Sequence, residues 1–179
     1  GGESWENILF VNELTGCSEL DMNLSDPNIL YATMWEHQRK PWKVISGGEG
    51  SGVYKSIDAG KNWFKIEEGL PKEMGKMAIS ICQSNPDKLY ALIESDSNQD
   101  KGGLFVSNDA GKSWNMVSGD NRLTQRAWYY IEVFADPNNE NVVYVLSAPT
   151  LKSIDGGKSW SRISGTHGDY HDLWINPDN

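Results

Sequence analysis

The sequence has no apolar run near the ~18 to 20 residues that a membrane-spanning helix needs, and its N-terminus shows no signal-peptide pattern, so the chain reads as soluble with no membrane span. It is poor in positive charge. Its 16 Lys plus Arg against 25 Asp plus Glu give a net charge of -9, which repels polyanions, and no Lys/Arg cluster stands out as a phosphate footprint. Nucleic acid is therefore not an expected partner. There are only two cysteines, Cys17 and Cys82, so this is not a disulfide-built scaffold, and two free, buried thiols are expected. No 3.6-residue apolar periodicity is visible, which excludes a helical solenoid. Eight Trp and seven Tyr beside 18 Gly instead favour a turn-rich β protein, because aromatics suit strands and Gly suits tight turns.

The chain repeats itself. "SIDAGKNW" (56 to 63), "SNDAGKSW" (107 to 114) and "SIDGGKSW" (153 to 160) place Asp58, Asp109 and Asp155 in register at steps of 51 and 46 residues. "GGESW" at the start matches the second half of an octet and adds Trp5 to Trp63, Trp114 and Trp160. A second motif keeps the same beat: "DPNILYA" at 26, "NPDKLYA" at 85, "DPNNENVVYV" at 136 and "NPDN" at 176. Each repeat then reads as four short strands. Strand a leads into an Asx-Pro turn, strands b and c follow, and the octet turns c into strand d at its Trp. Units of about 40 to 50 residues with four strands are the signature of propeller blades. The expected fold is all-β, a β-propeller segment of four-stranded antiparallel blades. Complete blades are expected near 17–68, 75–118 and 127–164, with partial blades at 1–11 and 170–179.

The octet reads as a fastener. Positive φ is expected at Gly60, Gly111 and Gly157, with the three aspartates accepting backbone N–H bonds and Ser56, Ser107 and Ser153 tying the strand ends. The tryptophans are expected to pack on the hairpin. A catalytic carboxylate would not be needed in every blade.

These octets resemble the Asp-box, or bacterial neuraminidase, repeat of sialidases, sortilin-type receptors, xyloglucanases and photosystem assembly factors. "KPWKVISGGEGSGVYKSIDAGKNW" and "HGDYHDLWINP" are most similar to bacterial sortilin-like proteins, often labelled glycosyl hydrolases. Asn62 departs from the usual Thr or Ser and is expected to weaken one turn bond. The resemblance implies that the boxes lie away from the ligand site, and it does not decide the chemistry.

Strand alternation puts the octets and Asx turns on one rim and the long loops 37–52, 96–103, 119–127 and 165–170 on the other, where functional residues are expected. On that rim, "HGDYHD" (167 to 172) sets His167, Asp169 and His171 on one side if extended. Hydrogen bonding to a polar ligand, structural packing and, less favoured, a divalent metal stay open for this trio. Registering strand a on its turn proline brings Glu19 and Asp21 level with Ala78 and Ser80, Tyr129 and Ile131, and Asp169 and His171. Glu19, Asp21 and Asp169 are thus candidate carboxylates for glycoside hydrolysis, in blades that meet only if the ring closes. A sialidase needs arginines gathered on one carboxylate, and Arg39, Arg122, Arg126 and Arg162 are the only four. Trp35, Trp42, Trp128, Tyr129 and Tyr130, with Arg39 nearby, could stack on a sugar or grip a peptide.

The expected function is a secreted or periplasmic binding scaffold for a glycan or protein ligand, with no cofactor. A glycoside hydrolase and a sortilin-like peptide receptor or assembly factor are the alternatives. Bare blade faces at both ends imply self-association or a longer parent propeller. Cys17 and Cys82 fall at opposite ends of strands a in neighbouring blades, roughly 20 Å apart, too far for a bridge. Thiol titration of the denatured, unreduced chain should therefore return two thiols; one bridge would overturn the register.

Overall fold

A computed structural model describes residues 2–95, 101–165 and 169–178. It contains three sheets and no helix among the described residues, and so no helix long and apolar enough to cross a membrane. In the first sheet β1 (Thr15–Met22), β2 (Leu30–Lys40), β4 (Gly52–Ser56) and β5 (Phe64–Ile66) pair in order, and β3 (Lys43–Ser46) pairs with the far end of β2. The second sheet is β6 (Met77–Ile81), β7 (Leu89–Ile93), β8 (Gly103–Ser107) and β9 (Asn115–Ser118). The third is β10 (Glu132–Ala135), β11 (Val143–Leu146), β12 (Thr150–Ser153) and β13 (Ser161–Arg162). Every pairing is antiparallel.

Two expectations about the ends and loops change. Neither residues 2–14 nor 163–165 and 169–178 form a strand, so the expected lone strands are not hydrogen-bonded into sheets. The stretch 37–52 is not all loop, because β2 continues to Lys40 and returns as β3. His37, Gln38, Arg39 and Lys40 pair with Ser46, Ile45, Val44 and Lys43, leaving Pro41 and Trp42 as the turn.

The octets fasten β4 to β5, β8 to β9 and β12 to β13. Ser107 Oγ donates to Asp109 Oδ1 at 2.7 Å and accepts the Gly111 N–H at 2.9 Å, and the other two octets repeat the pattern. Asp109 then accepts both the Ser113 N–H and hydroxyl. Those Ser113 bonds, followed by the Ser107 hydroxyl, hold the Asp109 carboxyl down to about 2. Asn62 does not weaken its turn: its amide donates to Asp58 Oδ2 at 2.7 Å, in the place of the Ser113 hydroxyl. The glycines take positive φ as expected, at 85°, 81° and 88°, but Ala59 and Ala110 do so too, at 60° and 58°. A non-glycine residue resists this region, and the hydrogen-bonded turn holds it there. The tryptophans are less uniform than expected. Trp114 is buried and Trp5 is 91% exposed, while Trp63 and Trp160 are half-buried.

Each octet glycine also receives the preceding unit. A Cβ on Gly111 would meet Tyr31 and Ile66 of the first sheet, and one on Gly157 would meet Leu104 and Val117 of the second. Ile8 occupies the same place against Gly60. Residues around Ile8 thus pack where a preceding blade's last strand would, without pairing as one. Two buried clusters fill the gaps between sheets. One contains Tyr31, Val53, Met77, Ile79 and Phe105, and the other contains Tyr90, Leu92, Leu104, Ile131 and Val145.

The cysteines are free. Cys82 is buried and its thiol is pushed up to about 12 by desolvation, but Cys17 is exposed rather than buried. It lies on β1, the first strand of the series, and no sheet covers that side.

Ser107 is 1% exposed, and its hydroxyl serves the buried Gly111 N–H. Ser107→Ala should lower unfolding free energy by about 1 to 3 kcal/mol, the cost of stranding a buried donor. Urea denaturation checks this, with an unchanged midpoint counting against the fastener.

Candidate functional site

The first strand of each sheet lines the inner edge, and its register decides which side chains meet there. Backbone hydrogen bonds across the Asx turns make Asn23, Cys82 and Asp136 equivalent, since their N–H groups donate to Ile29, Lys88 and Val142. The turn residue of the third sheet equivalent to Pro27 and Pro86 is therefore Glu140, not Pro137. This shifts the third strand by three residues. Glu132, rather than Tyr129, stands level with Glu19 and Ala78. Asp21 and Ser80 also fall level, and they do the same job: Asp21 Oδ2 accepts the Ile81 N–H at 2.7 Å, and Ser80 Oγ accepts the Ala135 N–H at 3.0 Å. Asp21 is thus committed to joining neighbouring sheets. Aligning on the strand-b tyrosines, Tyr31, Tyr90 and Tyr144, would have given this register from the sequence.

Because Ala78 is small, Glu19 and Glu132 meet across the second sheet and share a hydrogen bond. Lys76 Nζ lies 3.6 Å from Glu132 Oε1, with both side chains mostly buried. Burial comes first in pushing the Glu132 carboxyl up, to about 8, the bond and charge of Glu19 add to it, and Lys76 opposes it. The Lys76 ammonium also lies 5.9 Å from the Trp35 ring centre. Trp35 Nε1 donates to Ser46 Oγ at 3.0 Å, Ser46 donates to Glu94, and Glu94 accepts the Lys76 N–H at 2.9 Å. A polar chain thus runs from the base of the β2–β3 hairpin to the inner edge. Sequence reading missed Glu132, Lys76 and Glu94.

The remaining candidates divide. Asp169 and His171 are exposed and joined at 3.1 Å, and the His171 ring lies 4.5 Å from that of buried Tyr130. His167 lies outside the described residues. Among the described residues no three His, Cys, Asp or Glu converge on a metal position. Arg39 and Trp42 stand at the hairpin end, with Trp42 82% exposed. Opposite them is the loop 119–131, which buries Leu123, Ala127 and Tyr130 and leaves Trp128 and Tyr129 half exposed. Those two rings meet edge to face at 5.0 Å, and the Arg126 guanidinium lies 5.7 Å from the Tyr129 ring. A cavity of about 390 Å³ lies between loop and hairpin, lined by Lys43, Val44, Ile45, Ser46, Glu94 and Trp128. The structure thus brings Trp128 to the hairpin, and it brings Glu19 to a carboxyl partner other than those expected.

No protein-family model matches the chain. A curated protein described as a probable oligoxyloglucan-reducing end-specific xyloglucanase, from Neosartorya fischeri, is 25% identical over 158 residues. The match takes in 85% of this chain and 18% of that protein, so the chain spans less than a fifth of its curated relative. Among solved structures, the GH74 enzyme of Niastella koreensis superposes with a TM-score of 0.57 at 17% identity, over 84% of this chain and 23% of that one. YCF48 from Cyanidioschyzon merolae gives 0.55 at 15%, over 83% and 40%. A protein of unknown function from Dyadobacter fermentans gives 0.53 at 18%, over 90% and 54%. With one five-stranded and two four-stranded antiparallel sheets, these likenesses decide the architecture. The chain has a β-propeller fold. The sheets are its blades, and the first strands line its axis.

The carboxyl pair makes a pH prediction. Glu132 keeps its proton in the folded state above the ordinary carboxylate pKa of about 4.3, so the unfolded state binds fewer protons and stability falls as pH rises. The loss should run from about pH 4.5 to about pH 8. Glu132→Gln cannot ionise, so its denaturation midpoint should fall less than that of the wild type between pH 5 and pH 8. Parallel declines would refute the raised Glu132 carboxyl.

Proposed function

We propose that the chain is part of a propeller that binds a glycan on its loop rim without turning it over. The carrying observation is the cleft between the β2–β3 hairpin and the loop 119–131, lined by Trp128, with exposed Trp42 and Tyr129 on the two segments that form it. Aromatic faces suit sugar rings, and a rigid blade set holds the two walls at a fixed spacing. The octets sit at the opposite ends of the strands. Their geometry supports reading them as Asp boxes; a secreted or periplasmic protein of sortilin-like type is a reading that rests on the sequence resemblance alone.

The hydrolase reading draws on the xyloglucanase likenesses, but the acid groups here fit it poorly. A glycosidase separates its carboxyls by about 5 to 5.5 Å or about 6.5 to 9.5 Å, leaving room for sugar or water. Glu19 and Glu132 instead bond to each other. Asp21 is engaged by backbone N–H groups, and Asp169 lies exposed. The peptide-binding reading is favoured by one neighbour, YCF48 bound to D1 peptide, at a TM-score of 0.57 and 12% identity.

A further blade, from a longer parent chain or a second copy, belongs against the first sheet. Leu20 and Met22 are 57% and 38% exposed, whereas their equivalents Ile79 and Ile81 are each 2% exposed beneath the first blade.

Trp128→Ala should weaken glycan binding roughly tenfold, the loss of one aromatic stacking partner, in calorimetric titration against a panel of oligosaccharides. Release of reducing ends by the wild type would instead favour the hydrolase.

A further inference from the structure

The end of the hairpin holds an unfavourable arrangement of charge. Lys40 and Lys43 are directly opposed across β2 and β3, with Arg39 next to them, and opposed residues in an antiparallel pair place their Cβ atoms about 4.5 to 5.5 Å apart. Like charges at that distance destabilise the pair. All three side chains are exposed, and no carboxylate forms an ion pair with any of them among the described residues. Among the described residues Arg126, on the loop across the cleft, also forms no ion pair, and it lies over the Tyr129 ring. The hairpin from His37 to Ser46 contains no Asp or Glu, and the loop 119–131 contains one, Asp120, which is paired with Arg122. The one carboxylate lining the cavity between them, Glu94, is buried and taken up by the Ser46 hydroxyl and the Lys76 N–H.

In a chain of net charge -9, this patch stands out. The acids are concentrated elsewhere: Asp26, Asp58, Asp87, Asp109, Asp136 and Asp155 all lie at the octet and Asx-turn ends of the blades. The hairpin and residues 121–131 are thus locally positive, although the molecule is strongly negative and the rest of the loop rim carries Glu49, Glu73, Asp120 and Asp169. The cations do not converge on one point, as they would to grip a single carboxylate. Lys43 lines the cleft, and Arg39, Lys40 and Arg126 stand on the two segments that wall it, which also carry exposed rings.

We infer that the cleft takes an acidic glycan, a chain of uronate-bearing sugars whose rings stack on Trp128 and Trp42 while successive carboxylates meet Lys43, Arg39 and Arg126. This rests on the loop-rim reading above and narrows it to a charge class. A flat anionic surface is the poorer match, because Arg126 lies on the loop side of the cleft, apart from the three hairpin cations, and because the rest of the chain repels it.

The test uses the whole chain with polygalacturonate and alginate as acidic probes and fully methyl-esterified polygalacturonate as the neutral twin, in calorimetric titration at low and high salt. The acidic probes should bind, weaken with salt, and weaken about tenfold or more in the double variant Arg39→Gln/Lys43→Gln, which removes two charge-assisted contacts. The esterified polymer should bind far less. Unchanged thermal unfolding of the variant shows that the hairpin still folds. Equal binding of the esterified polymer would overturn the acidic inference and leave the glycan reading standing. Binding of polyglutamate or phosphatidylserine vesicles with no binding of any glycan would overturn both, as would no binding at all.

Discussion

The Ser hydroxyl inside each octet holds the architecture in place. By accepting the N–H of Gly60, Gly111 or Gly157 while donating to Asp58, Asp109 or Asp155, it closes a turn that two residues of left-handed backbone would otherwise resist. The closed turn brings a side-chain-free glycine flush with the preceding blade, and Ile66 with Tyr31, or Val117 with Leu104, fills the space. Blade-to-blade packing therefore depends on a local hydrogen bond. The apolar clusters between the sheets pack alongside this contact. Tyr31 adds a second tie at the same level, donating to the Ala110 carbonyl at 2.8 Å.

Fastening one end of each blade leaves the other end free to vary. The octet rim is short-turned, uniform and acidic, with its carboxylates consumed by their own turns. At the other end β2 overshoots its neighbours into a hairpin, and the third blade is preceded by a loop that buries Leu123, Ala127 and Tyr130 while presenting Trp128 and Tyr129 outward. Those two insertions make the cleft. Neither belongs to the repeat, which is why the blades can be so regular while the rim is not.

The axis carries a second consequence of register. A small residue in the middle blade lets carboxyls from the first and third blades meet, and burial raises the Glu132 carboxyl against the opposing charge of Lys76. Trp35, Ser46 and Glu94 connect this pair to the base of the hairpin. Protonation at the axis and the position of the cleft wall are thus in physical contact through packed, hydrogen-bonded groups.

The sequence by itself determined the all-β architecture, the three fastened hairpins and the rim on which variable loops gather. Those features rest on local hydrogen bonds and two-residue alternation, which repeat wherever the residues repeat. It misled at the third blade, where Pro137 drew the turn three residues early although Tyr144 kept the true phase with Tyr31 and Tyr90. The meeting of Glu19 with Glu132, the coupling role of Asp21 and the approach of Trp128 to Lys43 were decided only by tertiary structure. Each depends on how far one blade is offset from the next, and that offset is set by packing between residues about 30 to 115 positions apart, whose spacing no local pattern records.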